Sequence, residues 1–184
     1  TNTSVTTEKS AVTGELVDDK QITNAQNIIE QFVSYCNNGE TEKAYNLLSK
    51  DCKDEVYKSL EAFETLYYKE NYGGNIKKTA TIENWFGNTY AVYISTDIMA
   101  TGKIEDTKKR DYYTLVDEEG STKLNINSFI KKENINKEQT ENNITYKIIS
   151  KNVYMDYEEY TVQVQNGSEN TILLDSMQST KTIY

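Results

Sequence analysis

From Ile22 to Tyr72 apolar residues return with a helical period. Ile28, Ile29, Phe32, Val33 and Cys36 fall on one broad stripe, and Asn37-Asn38-Gly39 closes the segment with residues suited to a left-handed helix end. Thr23 and Gln26 have the spacing of a capping box, which places the start of this first helix beside them. A second, short helix has Ala44, Tyr45, Leu47 and Leu48 as its buried side and breaks at Ser49–Asp51. A third carries Asp54 and Glu55 in its first turn, where carboxylates favour the helix dipole, and a stripe of Val56, Leu60, Phe63 and Tyr67; Gly73-Gly74 stops it.

From Lys77 the period changes to two. Thr79–Trp85 and Tyr90–Met99 read as strands. The second has Val92 and Ile94 on one face and Ala91 and Tyr93 on the other, as a central strand does. Thr101–Lys109 is polar and charged, hence a loop. Tyr112–Val116 and Lys123–Phe129 form a hairpin through Asp117–Gly120, with Gly120 supplying a positive φ. Lys131–Asn142 is charged and without pattern, and reads as a linker.

Beyond it lie short β-branched and aromatic runs at Ile144–Val153, Tyr157–Gln165, Thr171–Leu174 and Thr180–Tyr184, with turn signals at Asn166-Gly167 and Asp175-Ser176. About forty residues fall short of the roughly 100 of a complete sandwich, and the final TKTIY stops inside a strand. The expectation is an α+β fold, with three N-terminal helices packed on a curved antiparallel sheet and a small all-β C-terminal domain after it. Its parts are a disordered tether over 1–21, the α+β domain over 22–130, a linker over 131–143 and the β domain over 144–184.

The phrase FVSYCNNGETEKAYNLLSKDCKDEVYKSLEAF, within Ile22–Phe129, resembles the start of NTF2-like (cystatin-like α+β cone) extracytoplasmic domains of Gram-positive envelope proteins. Such domains occur at the N-terminus of low-affinity penicillin-binding proteins and in cone-shaped subunits of conjugation machines. The C-terminal part is similar to the small immunoglobulin-like modules of lipoproteins from such bacteria. Together these resemblances imply a protein tethered to the outer face of a membrane, and no particular activity.

Charge and compartment narrow the field. A net charge of −9 argues against nucleic acid or an anionic membrane surface as partner. The short basic runs Lys77-Lys78, Lys108-Lys109-Arg110 and Lys131-Lys132 are interrupted by acids and read as solvated faces. No apolar run approaches the ~20 residues that span a bilayer. The chain opens at Thr1 on a polar, Thr- and Ser-rich stretch that reads as the tether between an anchor and the first folded element, so an extracytoplasmic or secreted location is expected. Cys36 belongs to an apolar helix face and Cys52 opens the third helix; the reading favours two reduced thiols, with pairing left open.

NTF2-like cones can hold a pocket, and the resemblance implies that Tyr68, Trp85, Tyr93, Asp97 and Tyr113 would line it here, with Asp97 as the only candidate general base. Against that, Ser95-Thr96-Asp97 suits a strand end, and tyrosines fill cores. Without histidine, and without a cysteine pair at zinc spacing, no metal or cofactor is implied. Asp156, Glu158 and Glu159 read as a solvated edge. Tyr154, Tyr157 and Tyr160 form a candidate interaction face, or pack across strands. The leading expectation is a non-catalytic envelope protein acting as a binding or spacing module, with a protein or envelope component as partner. The alternatives are a small-molecule-binding or isomerase-type protein using the cone, and a subunit of a secretion or conjugation assembly.

Overall fold

The computed structural model of the chain describes residues 4–5, 9–73, 77–96, 109–172 and 174. Helix α1, Asp19–Asn37, is capped by Asp18, whose side chain accepts from the Lys20 N–H, and it buries Ile22, Ala25, Ile28, Ile29, Phe32, Val33 and Cys36. It starts ahead of the expected capping box, because Thr23 Oγ1 donates instead to the Asp19 carbonyl within the helix, at 2.8 Å. Gly39, at φ 72°, turns the chain out of it. Short helices α2, Thr41–Asn46, and α3, Lys50–Glu55, follow.

The expected single third helix is broken. Ser59, in extended conformation, caps a new helix α4, Leu60–Phe63, by accepting from the Ala62 N–H. A π-turn, Glu64–Tyr68, then leads into α5, Lys69–Tyr72. The stripe Val56, Leu60, Phe63 and Tyr67 therefore runs over a break that periodicity alone does not register.

Seven strands in two antiparallel sheets follow the helices. The first sheet is a meander of β2 (Lys78–Phe86), β3 (Thr89–Thr96), β4 (Lys109–Glu118) and β5 (Ser121–Asn125), with β1 (Ser4–Val5) parallel to β2 at its edge. The second is β6 (Phe129–Glu141), β7 (Ile144–Tyr154) and β8 (Glu158–Asn166). One core runs from Phe32 and Val33 of α1 through Tyr113 and Leu124 to Phe129 and Tyr154 at the root of the second sheet.

This corrects the expected fold class. The molecule is α+β with a helix-rich N-terminal part and two antiparallel sheets, not three helices on a sheet followed by a separate all-β domain. The supposed linker at 131–143 is mostly strand β6, which looked unpatterned because most of it is exposed. Its turn is the two-residue Asn142-Asn143 loop, both at positive φ (51° and 62°). Part of the expected tether also has a place: Ala11 and Val12 donate N–H to the Asn84 and Trp85 carbonyls along the edge of β2. The strand expected at 171–174 is not formed: residues 171, 172 and 174 are described and none of them is in a strand. The strand expected at 180–184 lies outside the described residues, as does the loop expected at 101–109 except for Lys109, which begins β4.

The two sheets meet at Asn127-Ser128, where both residues have positive φ (57° and 62°). Asp111 of β4 holds this corner. Its carboxylate accepts from the N–H groups of Tyr112 (2.7 Å) and Asn127 (3.1 Å) and from Ser128 Oγ (3.4 Å). Ser128 N–H in turn donates to the Tyr112 carbonyl, and the Ser128 carbonyl accepts from the Met155 N–H, so the corner ties β4, β6 and β7 together.

Burial pushes the Asp111 carboxyl up to about 6, against the pull of those hydrogen bonds. The folded chain thus holds this proton more tightly than the unfolded chain, and its stability falls as pH rises from the unfolded carboxyl value to about 6. Over that window the change is about 3 kcal/mol. The Asp111→Asn variant removes it: its stability relative to wild type, measured by urea unfolding, rises between pH 4 and pH 7 by a few kcal/mol whatever its offset. Asp111→Ala, which also lacks the titrating carboxyl, follows the same pH trend relative to wild type but lies below Asp111→Asn by about 1–3 kcal/mol, from orphaned donors.

Candidate functional site

The interior between helices and first sheet is where a pocket was expected. The pairing register sorts its residues by face. Ile82, Val92 and Asp111 lie opposite one another across three strands, and Asn84, Tyr90 and Tyr113 form the next row. These rows face the helices. Tyr93 lies opposite Arg110 and points to the other side of the sheet. Trp85 is on that side too, its ring edge-on to Tyr112 at 5.4 Å.

The expected set therefore does not converge. Tyr113 is fully buried in the core, Trp85 and Tyr93 occupy the opposite face, and Tyr68 is half-buried on the helical side, stacked on Tyr72 at 6.2 Å. Asp97 lies outside the described residues. On their own face, the Arg110 guanidinium lies over both Trp85 and Tyr112 (5.9 and 5.2 Å to the ring centroids), and Tyr93 Oη donates to Glu83 at 3.2 Å.

Among the described residues, aromatic rings pack through this interior. Phe32 meets Phe63, Tyr67 and Tyr113 at 5.7–6.2 Å, and Phe63 stacks on Tyr67 at 5.6 Å. The hydroxyls of Tyr67 and Tyr113 hydrogen-bond to each other. Tyr72 Oη lies near Tyr113 without reaching hydrogen-bond geometry. Burial drives the Tyr57, Tyr67, Tyr72 and Tyr113 phenols upward, and the Asp111 charge adds to this. Proton transfer needs a group that titrates near working pH. In this interior Asp111 is such a group, and both its oxygens are engaged in holding the Asn127-Ser128 corner.

Asp111 is the residue that sequence reasoning passed over in favour of Asp97. The signal was present: in Asp111-Tyr112-Tyr113-Thr114-Leu115, alternation places Asp111 on the same face as Tyr113 and Leu115. The cysteines are buried and unpaired with each other. Burial raises both thiols, Cys52 to about 12, which suits packing rather than nucleophilic chemistry. Among the described residues no group of three His, Cys, Asp or Glu side chains could hold a metal ion.

The second candidate is the β6–β8 sheet. Its root is fixed to the body: Glu55 of α3 receives Lys132 Nζ on one oxygen and Asn152 Nδ2 on the other, and both contacts hold its carboxyl below the usual range. Tyr154 is packed here, stacked on Tyr157 at 4.4 Å and tilted against Phe129 at 5.4 Å. Tyr160 lies opposite Lys151, on the other face from Tyr154. The three tyrosines expected to form one interaction face are thus divided. Tyr154 and Tyr157 belong to the root, while Tyr160 shares a face of the projecting sheet with Val162, Val164, Ile144, Tyr146 and Ile148, an apolar strip across β7 and β8 bordered by Lys151 and by Lys137, Gln139 and Glu141 of β6.

Removing one hydroxyl of the Tyr67–Tyr113 pair strands the other in the core. Each single variant, Tyr67→Phe or Tyr113→Phe, is expected to lose about 1–2 kcal/mol in urea unfolding, and the double variant less than the sum, with a coupling near 1 kcal/mol. Additive losses would show that the hydroxyls do not depend on each other. Comparison of the chain with protein-family models, with curated proteins and with solved structures gave no match.

Proposed function

We propose that this protein is a non-catalytic binding module of the cell envelope, working outside the cytoplasm, whose body of helices and first sheet presents the β6–β8 sheet to a protein partner. The observation that carries this reading is the exposure of β8. Both edges of the first sheet are covered: β2 by β1 and residues 11–12, and β5 by Leu47–Ser49, which exchange backbone hydrogen bonds with Leu124. In β8 all residues but Val164 are exposed. An open strand edge is a template for an incoming strand.

Two further features favour binding over catalysis. Aromatic rings pack through the interior, and the Asp111 carboxylate among them is committed to a chain corner. The charge of −9 favours a protein over nucleic acid.

A photo-crosslinking residue at position 160, on the apolar face of β8, should yield a defined protein adduct when the protein is displayed on cells. The same residue at position 66, an exposed position on the helical side, should not. Adducts from position 66 alone, or from neither position, would rule the reading out.

A further inference from the structure

We propose that β8 pairs antiparallel with β8 of a second copy of this chain, joining the two β6–β8 sheets into one of six strands. This rests on the binding role given to that sheet and names its partner.

The two edges of the β6–β8 sheet are unlike. β6 carries Lys131, Lys132, Glu133, Lys137 and Glu138, and its ladder is interrupted between Asn134 and Lys137, where Asn136 takes a φ of 51°. Charge and an irregularity of this kind discourage a further strand. β8 has neither: from Tyr160 to Asn166 it contains no charge, no proline and no left-handed residue. Its own irregularity with β7 lies at Ile148/Ser150, on the β7 side. Tyr160 and Val162 remain 52% and 49% exposed.

The strand is also complementary to itself. Its nine residues are centred on Val162. With a two-fold axis there, Val162 faces Val162 of the second copy, and Tyr160 faces Val164 on each side of the seam. These are an aliphatic pair and two aromatic–β-branched pairs on the apolar face. Thr161 faces Gln163 on the polar face. The acids fall outside the seam's centre, Glu159 against Gln165 and Glu158 against Asn166, where amides can donate to them. Parallel pairing would instead set Glu158 and Glu159 beside their own copies. Antiparallel pairing keeps all like charges apart and makes the interface isologous.

Sedimentation velocity over a wide concentration range tests this. Wild type should pass from monomer to dimer. Val162→Lys and Val162→Glu should each remain monomeric, because the axis sets identical charges against each other, while keeping the wild-type circular dichroism. An equimolar mixture of the two variants should dimerise again. Monomeric wild type at every concentration, or a mixture that stays monomeric, would overturn the pairing. If the crosslinker at position 160 then still captures a different protein, the binding role stands without self-pairing; if it captures none, both fall.

Discussion

The structure turns on one buried carboxylate. Two successive residues at positive φ, neither of them glycine, form a corner that is costly unless something holds it. Asp111 supplies what the corner lacks. A carboxylate accepts on two oxygens and donates nothing, so it can take the Asn127 N–H, the Tyr112 N–H and the Ser128 hydroxyl together. The same corner sets the direction of β6, and through the Met155–Ser128 hydrogen bond it sets the β7–β8 turn as well. Desolvation of this group is therefore the energetic penalty attached to having a second sheet in that position.

Inside the body, the strand period decides what a tyrosine does. Tyr93 and Tyr113 lie on adjacent strands in similar sequence surroundings, but one residue of parity separates a surface ring from a core ring. Tyr154 and Tyr160 are divided in the same way. A chain rich in tyrosine can thus build its core from rings, with the Tyr67 and Tyr113 hydroxyls satisfying each other at its centre, and still place rings on an outer face beside Arg110.

Parity also explains what could be read beforehand. The apolar stripe of α1 and the two-sided burial of β3 were legible because both are packed against something, and burial imprints a period on sequence. β6 was not. Exposed on both faces for most of its length, it carries no apolar alternation, and Asn142-Asn143 was the only local sign that it turns back. The break before Ser59 was hidden because the apolar stripe continues across it. Asp111 was passed over because a carboxylate in a strand gains meaning only once its register and its distant donors, Asn127 and Ser128, are known.

The projecting sheet follows from the same balance. Three strands covered only at one end have little stability of their own. The β6–β8 sheet is held at its root, where Phe129 and Tyr154 enter the main core and Glu55 grips Lys132 and Asn152. Farther out, its side chains meet mainly partners across strands, such as Ile148 with Val162 and Tyr146 with Val164. Local stability must therefore fall from root to tip, since opening the far half exposes little that is not already exposed. A surface of this kind gains more from a partner than a rigid one does. Each backbone group that pairs along β8 both adds an interaction and stabilises the strands behind it, so binding at the edge and order in the sheet are thermodynamically one process.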